Sequence, residues 1–72
     1  MKITYDRSVD AAYIYFASSI PAGAVKKTYP CDPNEVGGQI NLDLDEEGRL
    51  LGLEVLDASR HLPLSLLQET GR

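Results

Sequence analysis

The stretch INLDLDEEGRLLGLEV, Ile40 to Val55, leaves the folding chain few choices. Ile40, Leu42 and Leu44 alternate with Asn41, Asp43 and Asp45, which is the two-residue period of a strand with one buried face. Asp45 to Arg49 then supplies turn chemistry, with Gly48 placed for the left-handed residue that ends a type I turn and forms a bulge. A return strand from Leu50 to Ala58 brings Leu51, Leu53 and Val55 back to the core face and leaves Leu50, Gly52, Glu54 and Leu56 on the other. That second face is not purely polar, so the tail or another subunit is expected to cover part of it.

The same acidic alternation imitates the opening of a calcium loop. Counted from Asn41, such a loop needs glycine at its sixth position and a bidentate glutamate at its twelfth, and these positions hold Glu46 and Gly52. Leu42 and Leu44 also stand where a metal loop takes polar residues and a strand needs apolar ones. The strand reading prevails, and no metal or cofactor is expected.

Upstream, KITY (Lys2 to Tyr5) alternates as a short strand with Ile3 and Tyr5 on one face, and AAYIYFA (Ala11 to Ala17) has the β-branched and aromatic content of a strand buried on both faces. Asp6 is placed to close the turn between them as an Asx motif. Pro21 and Gly23 punctuate the chain. Ala24 to Pro30 then reads as an edge strand whose lysines discourage sheet-to-sheet aggregation. The segment from Pro30 to Gly38 is dense in Pro, Asn, Asp and Gly and reads as a mobile loop unable to sustain helix or ladder.

In the tail, Asp57 or Ser59 can cap a short helical turn, Pro63 suits the first position of a second helix running to Glu69, and Gly71 ends it. Two turns are too short to stand alone, so that helix must dock. Its apolar residues, Leu62, Leu64, Leu66 and Leu67, close the core, form a dimer or bind a partner.

With 72 residues the chain is one domain, residues 1–57 forming the sheet and 58–70 the helical tail. A core of this size is marginal without a metal, disulfides or a second subunit, which raises self-association early. A net charge of −4 repels a phosphate backbone, and Lys26 with Lys27 is too short for a basic patch, so no nucleic acid is expected. Cys31 is the lone cysteine, which excludes an internal disulfide and suits a reducing cytoplasm. No apolar run approaches the ~20 residues that span a bilayer.

Candidate chemistry is sparse. Asp6 and Asp10 flank one turn and have the right groups for an acid and a base, but turn chemistry explains both. Cys31 and His61 lack an orienting third residue and an oxyanion hole. Tyr5, Tyr13, Tyr15 and Tyr29 could stack bases, yet tyrosines in strands more often fill a small core with their hydroxyls at its rim. No catalytic residue is assigned.

Two stretches carry a resemblance. ITYDRSVDAAYIYF is similar to a Y-D-x-x-x-D-x-x-Y-I hairpin through Tyr5, Asp6, Asp10, Tyr13 and Ile14. NLDLDEEGRLLGLEVLDAS resembles a D-x-x-G-x-L-x-G-x-E turn and return strand, through Asp45, Gly48, Leu50, Gly52 and Glu54, ending in Leu56, Asp57, Ala58 and Ser59. Together they resemble the bacterial and archaeal family known as domain of unknown function 2283. The Pro30–Gly38 insert and the Leu-rich tail depart from its pattern. The resemblance implies a small stand-alone domain and raises an antitoxin-like or partner-binding role above an enzymatic one.

The sequence therefore predicts an α+β fold, an antiparallel sheet of four or five strands in largely meandering order with one or two short C-terminal helices. The expected function is a non-enzymatic protein-interaction domain that self-associates as a homodimer through Leu50, Leu56, Leu62, Leu64, Leu66 and Leu67. The alternative is an antitoxin-like partner of a small basic toxin, which Asn41, Asp43, Asp45 and Glu54 would contact as a charged face.

Overall fold

The computed structural model describes residues 1–70. Five strands, β1 (Lys2–Asp6), β2 (Ala11–Tyr15), β3 (Lys27–Pro30), β4 (Ile40–Leu44) and β5 (Leu50–Leu56), form one antiparallel sheet in the order β1-β2-β5-β4-β3. Three short helices accompany it: α1 (Pro33–Val36), α2 (Ala58–His61) and α3 (Leu64–Thr70). The α+β class is as the alternation predicts. Strands adjacent in sequence pair with each other except β2 and β3, because β5 inserts beside β2 and residues 16–26 carry the chain to the far edge. β3 is exposed throughout and ends in a proline, which suits an edge, whereas Gly52 and Val55 of β5 are buried, which suits the centre.

Register follows the alternation. On one side Tyr5, Ala12, Val55 and Ile40 stand opposite one another across four strands, and Ile3, Ile14, Leu53, Leu42 and Tyr29 form the next row across all five. The other side carries Thr4, Tyr13, Glu54 and Asn41, then Lys2, Tyr15, Gly52, Asp43 and Thr28. The β4–β5 turn forms as expected: Gly48 N–H donates to the Asp45 carbonyl at 3.0 Å and Gly48 has φ 83°.

Beyond the turn the register shifts. Asp43 pairs with Gly52 but Leu44 pairs with Leu50, so a bulge sets Leu50 and Leu51 together against Leu44. Leu50, expected on the polar side, thereby joins the apolar one.

The core is small. Ala12, Val55, Ala58 and Leu67 are the buried apolar residues, with Tyr5, Ile40, Leu53 and Leu62 packed against them. α3 docks through Leu67 over the Tyr5 row, as a helix too short to stand alone must. The expected loop after β3 needs correction. Pro30 ends a strand, and Asp32 caps a one-turn helix by accepting the Asn34 N–H at 2.9 Å, with Pro33 in its first turn and Gly37 at φ 76° closing it. Strong cap residues at both ends outweighed the loop-like composition.

Asp57 takes the N-cap place of α2 without a side-chain cap bond, and Ser59 lies inside that helix rather than capping it. Pro63 accepts the Leu67 N–H at 3.3 Å at the start of α3. Gly71, expected to end the tail helix, lies outside the described residues. Among the described residues no helix is long and apolar enough to cross a membrane.

Candidate functional site

On the polar side of the sheet the side chains are tied to one another. Tyr13, on β2, lies across the backbone of Gly52 on β5 and donates its hydroxyl to Asp43 Oδ2 on β4 at 2.6 Å. A β-carbon at Gly52 would fall 2.2 Å from the Tyr13 hydroxyl oxygen, so only glycine lets the ring bridge two strands. Thr28 donates to Asp43 Oδ1 at 2.7 Å, and Asn41, 8% exposed, donates to Glu54 Oε1 at 2.8 Å. Tyr15 meets Tyr13 edge to face at 4.8 Å, with the Lys2 ammonium 4.8 Å from the Tyr15 ring centre. Burial, and then the bond to Asp43, push the Tyr13 phenol above its ordinary 10.0.

Asp10 is the second centre. Its φ of 53° places it in the left-handed region that Asp tolerates better than most residues. It ties the β1–β2 turn to α2. Oδ1 accepts the Tyr5 hydroxyl at 2.6 Å and the Ser59 N–H at 3.0 Å, Oδ2 accepts the Ser59 hydroxyl at 2.7 Å, and the carbonyl accepts the Ala58 N–H at 2.9 Å. The Tyr5 and Ser59 bonds hold its carboxyl below the ordinary 3.8. Tyr5 is raised in turn, chiefly by the bond to Asp10.

Asp6 accepts the Ser8 N–H at 3.0 Å and the Ser8 hydroxyl at 2.6 Å, the expected Asx turn, and these bonds lower its pKa. An open cleft of about 500 Å³ adjoins this turn, lined in part by Thr4, Asp6, Tyr13 and Glu54. Its carboxylates are those already bonded to Ser8 and Asn41.

A third tie holds α1 to α2. The Gly37 carbonyl accepts from Arg60 Nη2 at 2.7 Å and lies 3.3 Å from His61 Nε2, while His61 Nδ1 lies 3.1 Å from the Asp57 carbonyl. The His61 ring covers Gly38, where a β-carbon would fall 2.4 Å from Cε1. His61 is thus an anchor for the α1 segment.

The acidic residues expected to face solvent are largely consumed within the chain. Asp43 holds Tyr13 and Thr28, and Asp45 Oδ1 accepts the Glu47 and Arg49 N–H groups at 2.9 and 2.8 Å. Among the described residues no three His, Cys, Asp or Glu side chains gather as a metal site requires. The six leucines expected at an interface divide: Leu67 is buried and Leu62 packs against the core, Leu56 and Leu66 are half-buried, and Leu50 and Leu64 are exposed.

The apolar side is the unfinished one. α3 covers the Tyr5 row, and the next row, Ile3, Ile14, Leu53 and Leu42, is only partly buried and ends in exposed Tyr29. Beyond it Phe16 is 47% exposed and Met1 90%.

Sequence reasoning missed the Tyr13–Gly52–Asp43 bridge and the Asp10–Ser59 tie. A glycine in mid-strand is a signal for close approach and could have pointed to the first. Nothing local marks the second, whose partners lie 49 residues apart. A family model described as a protein of unknown function, DUF2283, matches residues 2–59. No curated protein and no solved structure matches the chain.

Proposed function

We propose, for a chain that belongs to the DUF2283 family of proteins of unknown function, that it is a non-enzymatic protein-interaction domain that associates with itself, driven by the incompletely covered apolar side of its sheet and tail. One observation carries this reading: α3 covers a single row of that side, while the next row, from Ile3 to Leu42, is only partly buried and is flanked by exposed Tyr29 and Phe16. Apolar side chains gathered on one side of a sheet and only partly covered favour contact with another surface.

The non-enzymatic part rests on carboxylates spent in turns and ties. Asp6 and Asp10 hold Ser8, Tyr5 and Ser59, so neither stands ready as a base. The alternative, an acidic face that neutralises a basic toxin, has less to stand on, since Asp43 and Asp45 are bonded within the chain. A cytoplasmic setting rests on the lone Cys31.

Sedimentation equilibrium over a wide concentration range tests self-association. A species of twice 7.9 kDa is expected, and a persistent 7.9 kDa species would overturn it.

A further inference from the structure

A five-stranded sheet ends in two strands with an unpaired row of backbone groups, and the two ends of this one differ. Phe16 N–H donates to the Leu51 carbonyl at 2.9 Å, so at Phe16 the β2 backbone addresses β5. By alternation Ile14 and Ala12 do the same, while Tyr15, Tyr13 and Ala11 address β1. Their partners Lys2, Thr4 and Asp6 therefore turn their backbone groups inward, which leaves the N–H and C=O of Ile3 and Tyr5 on the free edge.

At the opposite edge Cys31 N–H donates to the Ile40 carbonyl at 2.8 Å, so Pro30, one residue earlier, faces outward, where it has no N–H to offer. β3 is also short and starts at Lys27, two further ways of blunting an edge. β1 contains neither a proline nor a bulge.

We infer that two copies of this chain join through the free edges of β1, paired antiparallel about a two-fold axis at Thr4 to make one continuous sheet. The inference rests on the self-association proposed above and specifies its geometry. In this register Lys2 stands opposite Asp6 of the partner subunit, Ile3 opposite the partner subunit's Tyr5, and Thr4 opposite its own copy. Each Ile3–Tyr5 pair exchanges both backbone hydrogen bonds, using the groups left open on the edge. Opposite charges, an aromatic with a β-branched residue, and threonine with threonine are favourable cross-strand pairs. Registers centred on Ile3 or Tyr5 lose the Lys2–Asp6 pairing.

The same axis reaches the Ile3 end of the partly buried apolar row. Tyr5 lines a groove under α3 with Leu64 and Leu67. Antiparallel pairing sets that end of one β1 beside Ile3 of the other. The partner's α3 then comes alongside Ile3, and Leu64, 66% exposed, gains apolar cover.

Cross-linking tests the axis directly. Thr4 would sit in a pair without mutual backbone bonds, with its Cα ~4.5 Å from its own copy, inside the ~4.4–6.8 Å range of a disulfide. Thr4→Cys in a Cys31→Ser background is expected to oxidise to a covalent dimer, while Thr28→Cys in the same background, on the blunted edge, stays largely uncross-linked. Ile3→Pro removes an outward N–H without touching the β1–β2 ladder, and weakens association about tenfold or more. Dimers in sedimentation with no more cross-link at Thr4 than at Thr28 would overturn the edge pairing and leave self-association standing. A monomer at every concentration would overturn both. Should Ile3→Pro fail to fold, the cross-link decides alone.

Discussion

The two sides of the sheet meet the same demand in opposite ways. On the polar side the side chains are tied to one another: Tyr13 crosses Gly52 to Asp43, Thr28 reaches Asp43 and Asn41 reaches Glu54. The apolar side has a short covering layer, since α3 spans one row and leaves the next only partly buried. A hydrogen-bonded layer can be completed within one chain because each bond is directional and pairwise. Apolar burial scales with area, and α3, seven residues long, offers little of it. The polar side therefore helps specify the fold, and the apolar side is what motivates the proposed self-association.

Substitutions on each side sharpen this contrast. Leu67→Ala removes the one leucine of α3 that enters the core, and chemical denaturation is expected to show a loss of about 3 kcal/mol. Gly52→Ala forces a β-carbon into the Tyr13 ring on a central strand and costs about 2 kcal/mol by the same measurement. If it proved neutral, the ring would not depend on that glycine. Tyr13→Phe keeps the ring and removes the bond to Asp43, at a cost of about 1 kcal/mol.

A fourth test follows the Asp10 tie, where Tyr5 and Ser59 meet the β1–β2 turn. Asp6 and Asp10 titrate below their ordinary 3.8 in the folded protein, so the stability they contribute is complete above that value. It is lost as pH falls through the lower folded values. Acid titrations followed by circular dichroism should show that decline, and Asp10→Asn should flatten it. Smallest in its effect on folding is Leu64→Ser at the exposed start of α3, expected to change stability by under about 0.5 kcal/mol while weakening self-association. A large loss of stability with unchanged association would reverse the roles given to the two sides.

Much of the fold was legible because its causes are local. Alternation from Ile40 to Leu44, the Asp45–Gly48 turn and the Asp6 turn each depend on residues a few positions apart, and each formed as the sequence predicts. The Pro30–Gly38 segment was misread because composition was weighed above cap positions: Asp32, Pro33 and Gly37 stand where a one-turn helix wants them. Leu50 was misplaced because a bulge near the turn shifts the count by one residue, and alternation carries no marker for an extra residue.

What the sequence determined by itself was the set of elements, the apolar and polar side of most strands, and the family pattern of tyrosine, aspartate and glycine positions. Tertiary structure alone decided which strands became neighbours and what those positions are for. Tyr13 and Asp43 are 30 residues apart, and Asp10 and Ser59 are 49 apart. Only the insertion of β5 between β2 and β4 sets Gly52 beneath the Tyr13 ring. The reason is physical: turns and alternation act over neighbouring bonds, whereas strand order is chosen by competition among distant pairings for one small core.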